Sequence, residues 1–106
     1  MSEAAELWRW DGERPVVDDD DILHYESRWV ALGPVEARMA RELASHAGQL
    51  VRRTDLERIG WNGEPVRPNT ADRQMHRLRR HLQVLGLMLV TVRGHGYVLE
   101  AVTNLT

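Results

Sequence analysis

The chain has 106 residues, 42% of them hydrophobic, with a net charge of −2 and no cysteine. That length holds one domain with one modest core, the apolar content argues against disorder throughout, and the lack of cysteine excludes disulfides and thiolate metal sites. No apolar run approaches the roughly 20 residues that span a bilayer, and Met1-Ser2-Glu3-Ala4-Ala5-Glu6 has neither the basic nor the apolar part of a signal peptide, so a cytoplasmic protein is expected.

Residues 1–20 form an acidic N-terminal segment. Within it, Leu7-Trp8-Arg9-Trp10 alternates as a short first strand would, and Asp11-Gly12 is a turn signal. The run Asp18 to Asp21 reads as a turn or a solvated edge. Residues 21–102 make up the domain proper, and 103–106 a tail. Ile22-Leu23-His24-Tyr25 and Arg28-Trp29-Val30-Ala31-Leu32 read as a hairpin joined at Glu26-Ser27, although that turn lacks the usual glycine or asparagine.

Three helices are predicted next. The first starts at Gly33-Pro34, with proline suited to the first position and Glu36 favoured by the helix dipole. Val35, Met39, Leu43 and Ala47, flanked by Ala40 and Ala44, make its apolar stripe, and Gly48 ends it. A short second helix lies around residues 53–59, where Thr54 and Glu57 have capping-box spacing. A loop rich in turn residues, Gly60 to Pro65, follows. The third helix covers about residues 69–85, with Asn69 as N-cap. Its stripe is Ala71, Met75, Leu78, Leu82 and Leu85. Two apolar strands, 87–92 and 97–102, then flank the tip Arg93-Gly94-His95-Gly96.

Charge divides the chain. Residues 1–27 hold nine acids against two arginines, a balance of −7, whereas residues 28–106 hold seven acids against twelve arginines, a balance of +5. On the third helix, Arg73, His76, Arg77 and Arg80 fall opposite the apolar stripe. Asp72 is the only acid between Glu64 and Glu100. A merely solvated helix face normally mixes signs to gain i,i+4 pairs, so this one points to a polyanion. A helix fits the major groove of B-DNA, where arginine can bind guanine bidentately. A cation at a hairpin tip can enter the minor groove, although glycine-rich tips are also ordinary turns.

Four segments, spread over about residues 28–100, resemble in order and spacing the winged-helix DNA-binding domain of OmpR/PhoB-type response regulators. Leu32-Gly33-Pro34-Val35-Glu36 is similar to the family's Leu-Thr-Pro-x-Glu. Gly48-Gln49-Leu50-Val51-Arg52-Arg53-Thr54-Asp55-Leu56 is similar to its Gly-x-Val-Val-Ser-Arg-x-x-Leu. Asp72 through Leu82, with Leu78-Arg79-Arg80 inside, matches its recognition helix. Thr91-Val92-Arg93-Gly94-His95-Gly96-Tyr97 matches its Thr-Val-Arg-Gly-x-Gly-Tyr wing. The resemblance implies an α+β winged helix-turn-helix with an N-terminal antiparallel sheet, three helices and a C-terminal β-hairpin wing.

The resemblance also implies roles. Arg73, Gln74, His76, Arg77, Arg79 and Arg80 match recognition-helix contacts, Arg93 the wing residue in the minor groove, and Thr91 a backbone contact. Trp61 matches a tryptophan that touches the DNA backbone, with core packing as its equal alternative. Gly33 and Arg52 depart from the pattern where it has threonine or serine. His76 stands where several members have arginine, so no base preference carries over. The implied partner is double-stranded DNA. RNA polymerase, touched in some activators by the loop near residues 60–68, and a second copy on direct repeats are further candidates.

At this length there is no room for the family's doubly wound receiver, so switching by aspartyl phosphorylation is not expected. No cofactor, metal or catalytic role is expected either. His24, His46, His76, His81 and His95 lack metal-ligand spacing, and neither a Gly-x-Ser-x-Gly nor a phosphate loop occurs. The rival to a sequence-specific transcriptional regulator is an interaction module of the same fold that docks on RNA polymerase or a partner regulator. Trp8, Trp10 and Trp29 give it some credit as interface aromatics.

Overall fold

Alternation along the first hairpin sets its register. In a computed structural model that describes residue 10 and residues 12–102, Leu23 and Tyr25 are buried and His24 between them is exposed. They lie on strand β2 (Ile22–Tyr25), which pairs antiparallel with β3 (Arg28–Ala31) on one side and β1 (Val16–Val17) on the other. The two-residue turn works without glycine because Glu26 adopts φ 55° and its amide donates to Glu13 Oε2 at 2.8 Å. Trp10 packs its ring edge-on against Tyr25, with centroids 6.2 Å apart. The strand expected at residues 7–10 falls almost wholly outside the described residues, as does the tail. The first described strand is β1.

The acidic run is a folded turn. Asp18 Oδ1 accepts from the amides of Asp20 and Ile22, both at 2.9 Å. Asp21, at φ 61°, lends its carbonyl to the Leu32 amide at 3.0 Å. Arg41 Nη2 reaches over from the next helix to Asp18 O at 2.7 Å and Asp21 Oδ1 at 2.8 Å. Two of the four carboxylates therefore build structure, and Asp19 and Asp20 stay in solvent.

Helices α1 (Pro34–Ser45), α2 (Arg53–Gly60) and α3 (Pro68–Val84) follow, with β4 (Leu50–Arg52) between the first two. β5 (Leu87–Val92) and β6 (Gly96–Ala101) close the described chain. The second sheet has the order β4-β6-β5, so β5 is an edge strand. Three expectations need correction. The first helix stops at Ser45 rather than Ala47, and Gly48, at φ 80°, donates to Leu99 O at 2.9 Å to start the return to the sheet. Thr54 caps nothing, because Arg52 is the N-cap and Thr54 lies one residue inside α2. Asn69 is likewise helical: Pro68 takes the first position and Arg67 the cap. Proline's fixed φ suits that place, and its missing N–H is one that a first turn leaves unpaired anyway.

The core lies between the helices and the inner faces of both sheets. Leu23, Met39, Leu43, Leu56, Leu78, Leu82, Leu85, Leu87 and Leu99 are almost wholly buried. A polar group joins them. Glu36 in the first turn of α1 is 1% exposed. Its Oε1 accepts from the Gly33 amide at 3.3 Å and its Oε2 from His81 Nδ1 of α3 at 2.5 Å. Gly33 supplies no side-chain cap, yet the Glu36 half of a capping box survives and also ties α1 to α3.

Gly96 is the tightest point. A Cβ there would lie 2.1 Å from Val51 O and 2.9 Å from Arg52 Cα. Only glycine lets β4 lie against β6 at the Arg52–Gly96 pair. Gly96→Ala is expected to cost about 3 kcal/mol in urea unfolding, at the upper end for a forced backbone shift. A loss below about 0.5 kcal/mol, the scatter of ordinary surface changes, would show that β4 moves aside freely.

Asp18 generates a pH prediction. The His24 side chain, and after it the Ile22 amide, hold its carboxyl below the usual carboxylate value. A pKa lowered by folding contributes stability that is full above the unfolded value, near 4, and lost as pH falls through the folded one. Asp18→Asn should flatten the acid limb of the stability curve below about pH 4. Thermal melts from acid to neutral pH check this, and an unchanged limb would show that the turn contributes nothing to it.

Candidate nucleic-acid interface

The stripe Ala71, Met75, Leu78, Leu82 and Leu85 is buried as a unit. With 3.6 residues per turn, that burial turns Arg73, His76, Arg77 and Arg80 outward, and all four are exposed. Gln74 is half-buried at the border. Among the described residues, none of these arginines has a carboxylate within ion-pair distance. Arginine heads left unpaired on one face of a rigid helix are free to engage an anion.

The β5–β6 hairpin stands beside α3. His95 N–H donates to Val92 O at 2.9 Å across the tip, and Gly94 at φ 79° occupies the third turn position, where a positive φ is required. Arg93, Gly94 and His95 are all exposed. Thr91 is exposed near the end of β5, two residues before Arg93 in the turn.

Not every predicted residue is free. Arg79 is half-buried and bends toward the hairpin. Its Nη2 donates to Thr91 Oγ1 at 2.8 Å and to Leu89 O at 3.2 Å, while Nε lies 3.4 Å from the same carbonyl. The structure thus brings two expected contact residues to each other. Trp61 is half-buried, follows the last turn of α2 and packs against the core cluster.

Residues beyond the predicted set complete the surface. A cleft of about 770 Å³ opens between the start of α2 and the wing, lined by Arg52, Arg53, Thr54, Glu57 and the segment from Thr91 to Tyr97. Arg53 Nε donates to Glu57 Oε2 at 3.1 Å, which raises the guanidinium pKa further and keeps the group charged. The Arg53 amide meets His95 O at 3.3 Å, so the helix start and the wing tip are tied. Consecutive arginines at the start of a short helix were the available sequence signal, and they show as a site only once β4 places them under the wing. A second hollow lies between α1 and α3, lined by Gly33, Glu36, Arg77, Arg80, His81 and Val84. Among the described residues, no group of three or more histidine, aspartate and glutamate side chains is placed to hold a metal ion, and no helix is long and apolar enough to cross a membrane.

The family described as transcriptional regulatory protein, C terminal, matches residues 26–99. The phosphate regulon transcriptional regulatory protein PhoB of Rhizobium meliloti (strain 1021) is 37% identical over 82 residues, which cover 74% of this chain and 36% of PhoB. The chain thus spans about a third of the length of that curated relative. Among solved structures, the C-terminal domain of the nisin resistance regulator NsrR superposes with a TM-score of 0.69 at 28% identity, covering 87% of this chain and 97% of the other. The Klebsiella pneumoniae RstA DNA-binding domain, solved in complex with the RstA box, gives a TM-score of 0.64 at 26% identity, with coverage of 83% and 92%.

Proposed function

The chain belongs to the family of transcriptional regulatory protein C-terminal domains, and from that membership we propose that it reads duplex DNA with α3 in the major groove and Arg93 of the wing in the adjacent minor groove. The observation that carries this is the face of α3 on which Arg73, His76, Arg77 and Arg80 stand exposed and where, among the described residues, none of the three arginines has a carboxylate partner. Such a face replaces counterions along the phosphates, and its central side chains reach base edges. Arg52 and Arg53, in the cleft beside the wing, add cations where the backbone between the two grooves would run. The RstA domain of similar fold was solved with its DNA box, which supports the same use of the surface here.

Docking on RNA polymerase or a partner regulator is the second reading. Trp29 is 64% exposed and Val16 57%. Register places both, with His24 between them, on the outer face of the N-terminal sheet. None of these three residues lines the cleft or belongs to the cationic face of α3.

Binding to a selected duplex should weaken steeply with salt. If about five phosphates are neutralised, the log–log slope is about −4.5. A slope near zero, or no binding to any fragment, would favour docking alone. Arg77→Ala should cost about 1–3 kcal/mol on the selected site and relax sequence preference. Unaltered discrimination against random duplex in this variant would mean that α3 does not read bases.

A further inference from the structure

We propose that Arg79 is a strut that fixes the wing relative to the recognition helix, and that its part in DNA recognition is positioning rather than contact. The proposal rests on the function argued above, and its test separates the two. Arg79 sits between Leu78, which is fully buried, and Arg80, which is exposed. From there its guanidinium spans to β5, bonding Leu89 O and Thr91 Oγ1. β5 is the edge of its sheet, with no further strand beside it among the described residues. Thr91 lies two residues before Arg93, so a bond at Thr91 sets where Arg93 emerges. One planar fork therefore ties the centre of α3 to the base of the wing.

The physical consequence is preorganisation. β4 and the Arg53 amide hold the hairpin only on its β6 side, and a β5 edge left free to twist loses that freedom each time the wing enters a groove. Holding it beforehand removes that cost from binding. Arginine suits the task because its fork offers several donors in a fixed plane, whereas lysine would supply a point charge.

Two substitutions separate strut from contact. Arg79→Met keeps the apolar stem and removes every donor. Thr91→Val keeps the shape and changes no charge. If the two residues act through their mutual bond, R79M should weaken binding to the selected duplex about tenfold and T91V less. The double variant should then be no worse than R79M alone, because uncoupled sites add and coupled ones do not. Losses that multiply in the double variant would overturn the proposal, since they would show two independent DNA contacts. So would an R79M salt slope shallower by about 0.9, the signature of one lost phosphate contact.

Amide hydrogen exchange in the DNA-free protein tests the same claim without reference to binding. R79M and T91V should each speed exchange across Val92 to Gly96 at least tenfold, with the amides of Leu78 and Leu82 unchanged as evidence of an intact core. T91V serves by itself should R79M fail to fold. Unchanged exchange at the tip would overturn the strut even if DNA binding falls. A protein that binds no DNA but shows the faster exchange would keep the strut and remove only the function.

Discussion

Burial of one stripe fixes how far α3 is rotated about its own axis, and every exposed cation of the helix is placed by that rotation. Ala71, Met75, Leu78, Leu82 and Leu85 are all buried. Each large apolar side chain among them is worth about 1.5–3 kcal/mol when removed from water, whereas burying an unpaired arginine costs several kcal/mol. A turn of the helix by one residue, about 100°, would exchange these groups. No other rotation competes, and Arg73, Arg77 and Arg80 inherit a fixed direction without making a bond of their own.

The remaining pieces of the surface are placed by tertiary contacts. Gly96 admits β4 against β6, and β4 runs straight into α2, so the close approach at Val51 also sets Arg52 and Arg53 beneath the wing. The Arg53 amide on His95 O holds the other side of that cleft. Glu36 and His81 lock the start of α1 to α3 from below. These contacts join segments tens of residues apart, and together they fix the helix and the wing relative to each other.

Much of this was legible in the sequence, for a physical reason. A helix that must bury one side shows its 3.6-residue period whatever its neighbours do: the α3 stripe was legible in full, and the α1 stripe was legible at Met39, Ala40, Leu43 and Ala44 but not at Ala37, which is also buried. The strand Leu87–Val92 was legible from its apolar run. The same rule fails for β4, where a three-residue strand buries only Val51 and pairs with β6 more than forty residues away. Start signals misled in two places, because Thr54 and Asn69 have the side chains of caps while the chain geometry gives that position to Arg52 and Arg67. Family resemblance grouped Arg79 and Thr91 with the contact residues. Their residue types carry no sign that one bonds the other, and only the packing of α3 on β5 separates Arg79 from Arg80. Glu36 was legible as a first-turn acid, but its burial against His81 was not.

Recognition as proposed needs α3 in the major groove and Arg93 in the minor groove, and chemical footprinting reads both directly. On a duplex chosen by selection from random sequence, dimethyl sulfate methylates guanine N7 in the major groove and adenine N3 in the minor groove. Bound protein should protect guanine N7 positions over about half a helical turn, where α3 lies, and adenine N3 positions immediately to one side, where Arg93 enters. Protection of the sugar–phosphate backbone with both base positions left fully reactive would contradict it, because the domain would then hold DNA without placing helix or wing in a groove.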